Sequence, residues 1–142
     1  MSKPRILFLC TGNSCRSQMA EGMARALSDG KVDAFSAGTH PKPVHPSAVA
    51  VMAEAGIDIS RQQSKGVEEF RGQAFDFVIT VCDQANEMCP VWPGGGERIH
   101  WSFDDPAAAV GSEAERLEVF RRVRNEIRQR VQLFLIVRKL SA

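Results

Sequence analysis

Cys10 and Arg16 have five residues between them in the segment C-T-G-N-S-C-R-S (10–17). A cysteine at that distance before an arginine can wrap the intervening backbone into a tight ring. Successive N–H groups of Thr11, Gly12, Asn13, Ser14, Cys15 and Arg16 then point inward at a tetrahedral oxyanion. Arg16 can hold two oxygens of such an anion in bidentate fashion, which a lysine cannot match. A helix beginning near Arg16 or Ser17 adds the positive end of its dipole. The same field favours a thiolate at Cys10 and makes it a nucleophile. The Ser17 hydroxyl is placed to donate to that sulfur. Gly12 and Asn13 suit the left-handed backbone a tight loop needs. Cys15 lies inside the ring, where a buried inert thiol in a supporting role is the plainer reading.

The ring needs a rigid frame, and the neighbouring pattern supplies one. RILFLC (5–10) is a continuous apolar run, as expected of a strand buried on both faces. After the loop, Met19, Met23, Ala26 and Leu27 recur at helical spacing. VDAFSAG (32–38) reads as a second strand and THPKPVHP (39–46) as a proline-rich loop. Ser47 opens a helix to about Ala55, with Gly56 as its stop. FDFVITVC (75–82) is the third strand, PGGG (93–96) a loop and RIHWSF (98–103) the fourth strand. Ser112 to Leu140 forms a long amphipathic helix with Leu117, Phe120, Val123, Ile127, Val131 and Phe134 or Leu135 on one stripe. Alternating strands and helices imply right-handed crossovers. The expected fold is α/β, a small doubly wound four-stranded parallel sheet of order 2-1-3-4 flanked by helices. Ligands in such sheets sit beyond the strand carboxyl ends, where strand order reverses. Cys10, Cys82 and the pair Asp104–Asp105 all emerge at that edge.

Composition sets outer limits. The 142 residues, 44% apolar and 25% charged, make one domain over 1–142. A net charge of +1 argues against nucleic-acid or membrane-surface binding. The apolar run LFLIV (133–137) is far short of a membrane span. No signal peptide is evident, so a cytoplasmic setting is expected. There the four cysteines read as reactive or metal-binding rather than as structural disulfides. Zinc fits poorly, because Cys82 and Cys89 are spaced C-x6-C and Cys10 belongs to the anion loop.

The loop resembles the active-site loop of low-molecular-weight protein tyrosine phosphatases. With GNSCRSQMAEG, SAG, AGIDIS, the Cys82/Cys89 pair and HWSFDDP, most of the chain resembles the thioredoxin-coupled arsenate reductases that share the phosphatase fold. The resemblance implies a relay. Cys10 attacks arsenate, Cys82 attacks the Cys10 sulfur as arsenite leaves, and Cys89 then forms a Cys82–Cys89 disulfide that external thioredoxin reduces. No bound cofactor is implied, and the chain's size permits a monomer. By the same resemblance Asp105, before Pro106, protonates the leaving oxygen, with Asp104 as the adjacent alternative. Asn13, Glu21 and Ser36 match positions of a monovalent-cation site known in some relatives. Lys65 stands where those relatives carry a carboxylate, so its ammonium could replace the cation, although Glu21 also reads as a helix-surface carboxylate.

Residues seven apart in a helix lie about 10 Å apart along its axis, too far for a disulfide. Closing Cys82 on Cys89 would therefore unwind or loop out the segment between them, a redox-driven switch. The absence of tyrosine, and alanines at 107–109, suit a bare oxyanion better than an aryl phosphate. Two alternatives stay open, a phosphatase and a non-enzymatic redox partner. The reductant could also be a glutathione–glutaredoxin system. His40, His45 and His100 read as loop or surface residues. Trp92 and Trp101 read as packing, and the arginines at 121, 122, 124, 128 and 130 as a solvated helix face.

Overall fold

The computed structural model describes residues 3–83 and 91–142; Cys89, Pro90 and all of the expected switch segment after Asp83 lie outside the described residues. Four parallel strands, β1 (Arg5–Cys10), β2 (Asp33–Gly38), β3 (Phe77–Thr80) and β4 (Glu97–His100), form one sheet of order β2-β1-β3-β4. This is the order expected from the alternation of strands and helices. Strand β1 is central and its residues from Ile6 to Cys10 are all buried. Strands β3 and β4 are shorter than the runs FDFVITVC and RIHWSF, although pairing persists past β3: Val81 N donates to Leu9 O at 2.9 Å.

The pleat divides the core in two. Ile6, Phe8 and Cys10 face one way and pack with buried residues of helices α1 (Arg16–Ser28), α2 (Pro46–Glu54) and α3 (Glu113–Val137). Leu7 and Leu9 face the other way, against Phe70, Phe75 and Trp92. Phe70 closes a 3₁₀ turn, Val67–Phe70. Among the described residues, three helices therefore cover one face and an aromatic cluster covers the other, with Phe75 edge-on to Phe70 and to Trp92.

The helix ends follow local chemistry. Helix α2 starts one residue before Ser47, because Pro46 takes the first helical position and His45 Nδ1 accepts from Ser47 N at 3.1 Å. Gly56, at φ +79°, follows its C-cap. Helix α3 opens with a capping box between Ser112 and Glu115. It buries Phe120, Val123, Ile127, Val131 and Leu135, each worth about 1.5–3 kcal/mol; Leu117 and Phe134 are only partly buried. The arginine face is not merely solvated. Arg121 and Arg124 both grip Glu54 at the end of α2, and Arg121 also pairs with Glu118. His100 is a half-buried strand residue, its Nδ1 2.6 Å from Thr80 Oγ1, and His45 is a helix cap stacked on Phe120. His100 corrects the loop-or-surface expectation, while His45 lies in the loop before α2 as expected. No helix among the described residues is long and apolar enough to cross a membrane.

Candidate active site

Strand β1 ends at Cys10, and α1 begins at Arg16. The five residues between them can curl tightly only if another backbone comes very close. Gly38, at the end of β2, allows this: a Cβ there would sit 2.5 Å from Thr11 O and 2.8 Å from Asn13 N. Asn13 takes the left-handed turn, at φ +47°. Gly12 does not adopt positive φ, so the expectation that both residues would do so holds for Asn13 alone. The turn is completed at one residue, and Asn13 tolerates it because its short amide is held on every side. Asn13 Oδ1 accepts from Lys65 N at 2.8 Å and from Gln18 Nε2 at 2.9 Å, while Nδ2 donates to Ser17 Oγ at 2.8 Å.

Cys10 is a buried free thiol. Its Sγ accepts from Asn13 N at 3.2 Å and lies 2.8 Å from Ser17 Oγ. Helix α1 has no side-chain cap and no acidic residue in its first turn, unlike α3. Its first N–H groups are therefore left for an anion. The buried Arg16 donates from Nη1 to Phe103 O at 3.2 Å, and its Nη2 lies 3.9 Å from Asp105 Oδ2. These groups meet in a cleft of about 140 Å³ lined by Cys10, Thr11, Gly12, Ser14, Cys15, Arg16, Lys42, Asp105 and Ala107. Burial pushes the Cys15 thiol up to about 12, so Cys15 stays protonated beside the reactive sulfur.

The two aspartates part company. Asp105 lines the cleft and caps the 3₁₀ turn Pro106–Ala108 through Ala107 N at 3.0 Å. Asp104 turns away to Arg122 of α3, at 3.0 Å. Cys82 is fully buried and disulfide-bonded. It lies just past the level of Cys10 on the neighbouring strand, because the β1–β3 register sets Leu9 against Thr80. Adjacent strands run about 4.8 Å apart, so the two sulfurs belong to one sheet edge.

The residues matched to a cation site do not fit a bound cation here. Glu21 is buried rather than on the helix surface; its Oε1 accepts from Ser36 Oγ at 2.7 Å and its Oε2 pairs with Arg25 at 3.0 Å. The charge beside Glu21 is Arg25, not Lys65, whose Nζ donates to Gln63 O at 2.7 Å. Asn13 Oδ1 is already occupied by two donors.

Three contributors are not evident from the sequence. Gln18 holds Asn13 from the helix side, and Gln62 in turn holds Gln18, donating to Gln18 Oε1 at 2.8 Å. Lys42 lines the cleft from the proline-rich loop that follows β2. The motif P-K-P, a cation between two fixed φ angles, was the available signal.

A parallel four-stranded sheet with a Cys-x5-Arg loop at its central strand defines a phosphatase-like oxyanion enzyme. The chain belongs to the low molecular weight phosphotyrosine protein phosphatase family, which it matches over residues 5–142. Within that family it is 49% identical over 134 residues to a protein of Halalkalibacterium halodurans named arsenate reductase, covering 94% of this chain and 96% of that one. A solved structure described as an arsenate reductase in the phosphate binding state superposes with a TM-score of 0.80 at 39% identity, covering 97% of this chain and 99% of that one. The low molecular weight protein tyrosine phosphatase of T. tengcongensis superposes at 0.70 with 28% identity, covering 93% and 98%.

Proposed function

We propose that this protein reduces arsenate to arsenite by a three-thiol relay. The observation that carries the reading is the small cleft in which Cys10 and Arg16 face the same space, with Cys82 on the adjoining strand end. Relatives named arsenate reductase at up to 49% identity support it. Arsenate enters against the loop N–H groups and Arg16. The Cys10 thiolate attacks arsenic, and the displaced oxygen leaves as water with a proton from Asp105. Cys82, once its own disulfide has been reduced, then attacks the Cys10 sulfur as thiolate. The S–As bond breaks, its electron pair goes to arsenic, and arsenite departs from a Cys10–Cys82 disulfide. Cys89 attacks Cys82 and frees the Cys10 thiolate. Thioredoxin supplies the two electrons that reopen the Cys82–Cys89 disulfide. Each transfer between sulfurs is thiolate attack on a disulfide or adduct, so access and thiolate character set the rates.

The family also contains phosphatases, and the loop admits phosphate esters by charge, so weak ester hydrolysis at Cys10 accompanies this reading. The test is NADPH consumption coupled through thioredoxin and thioredoxin reductase. Arsenate-dependent turnover that Cys89→Ser abolishes is expected. No arsenate-dependent turnover, with aryl-phosphate hydrolysis intact in Cys89→Ser, would make the protein a phosphatase.

A further inference from the structure

The segment from Thr39 to His45 does more than connect β2 to α2. It runs along the oxyanion loop and is bonded to it at successive points. His40 N donates to Thr11 O at 2.9 Å, Lys42 N to Gly12 O at 2.8 Å and His45 N to Ser14 O at 3.0 Å. Ser14 Oγ returns a bond to Pro43 O at 3.0 Å. Pro41 and Pro43 fix φ on both sides of Lys42, and Pro41 packs against Gly66, 3.8 Å from the place a Cβ would take there. The Lys42 backbone is thus held in register with the anion loop while its side chain lies along the cleft wall beside Gly12. Its ammonium has no carboxylate partner among the described residues. Every other cation on the cleft and its flanks is engaged: Arg16 with Phe103 and Asp105, and Arg122 with Asp104.

The charge balance explains what such a lysine is for. A Cys10 thiolate and a doubly charged oxyanion bring three negative charges together. Against them stand Arg16 and the fraction of a charge at the α1 N-terminus. We propose that Lys42 is a specificity-determining residue of this cleft, supplying the second full positive charge that favours the doubly charged form of a tetrahedral inorganic oxyanion over the singly charged form. This rests on the oxyanion reading of the site given above. The lysine is a point charge on a flexible stem and closes on the anion from a fixed backbone position.

The test compares the full chain with Lys42→Met and Lys42→Arg. Inorganic phosphate binding is measured by calorimetry and arsenate KM by coupled turnover, each below and above the second ionisation of the anion. The other titratable groups near Lys42 are Cys10, Cys15 and Asp105 in the cleft, His40 and His45 on its own loop, and Lys65 beside Gly66. Comparing variant with wild type at each pH cancels their contribution. Lys42→Met is expected to weaken phosphate about tenfold above that ionisation and much less below it, consistent with loss of one charge-assisted contact. The arsenate effect falls on KM, and Lys42→Arg restores both. Equal binding by Lys42→Met and wild type at both pH values, an equal loss at both, or no rescue by arginine overturns the inference. Wild-type protein that binds phosphate but turns over no arsenate would overturn the reductase reading while the phosphate data still decide Lys42.

Discussion

Ser17 Oγ lies between Cys10 Sγ and Asn13 Nδ2, 2.8 Å from each. Because Asn13 Nδ2 can only donate, the Ser17 oxygen accepts from it and its own hydrogen is left for the sulfur. The serine is therefore oriented as a donor to Cys10. A hydrogen bond to a charged group is worth about 1.5–3 kcal/mol. Ser17→Ala is expected to lower kcat/KM for arsenate by about 10- to 100-fold. It should also change the rate of Cys10 alkylation by iodoacetamide at neutral pH, because the sulfur loses its donor. An unchanged alkylation rate would show that the hydroxyl does not hold the thiolate.

Asp105 and Asp104 are neighbours in sequence and face different partners, the oxyanion cleft and Arg122. Asp105→Asn is expected to lower kcat by about 10²–10⁴-fold, the range for loss of a general acid. Asp104→Asn should alter turnover by less than about twofold, because an exposed ion pair contributes little. Steady-state profiles of the two variants settle the assignment.

Burial holds Cys15 protonated up to about pH 12, while Cys10 faces Arg16 and the α1 N-terminus. Mass spectrometry after brief iodoacetamide treatment at neutral pH should find Cys10 alkylated and Cys15 untouched. The linkage has a definite sign. A thiol raised in the folded state favours folding fully below its ordinary value of 9.0, and that contribution is lost as pH rises toward about 12. Cys15→Ala should therefore flatten the alkaline side of the stability curve, read as thermal midpoint against pH.

Glu54 joins α2 to α3. The Arg121 hydrogen bond, with Arg124 adding to it, holds its carboxyl below the usual glutamate range. A depressed carboxylate favours folding above its unfolded value, and this is lost as pH falls through the folded one. Glu54→Gln is expected to lower the thermal midpoint by a few degrees at neutral pH, with the gap closing in acid. A gap of constant size across that range would mean that the charge is not what matters.

The alternation of apolar runs was enough to place β1, α1, β2 and α3 and to set the strand order, because a parallel sheet with short crossovers leaves few topologies open. The ends of elements were less legible. Helix α2 begins at Pro46 because His45 turns its own ring onto Ser47 N, a local bond that residue types alone do not announce. Strand β4 is an edge strand, paired to β3 alone among the described residues, so its length depends on how far β3 runs beside it.

The same division runs through the site. Cys10, Asn13, Arg16 and Ser17 were readable because their chemistry depends on spacing within one short loop, and a strand before it with a helix after it leaves that loop one compact geometry. Which aspartate faces the cleft depended on Arg122, distant in sequence. That Glu21 is buried and neutralised by Arg25 depended on how α1 lies over β2. Lys42 reached the cleft only because its loop is bonded across the fold to Gly12. Local spacing determines which residues can react; contacts between residues far apart in the chain decide which charges they meet, because Coulomb interactions act through space rather than along the backbone.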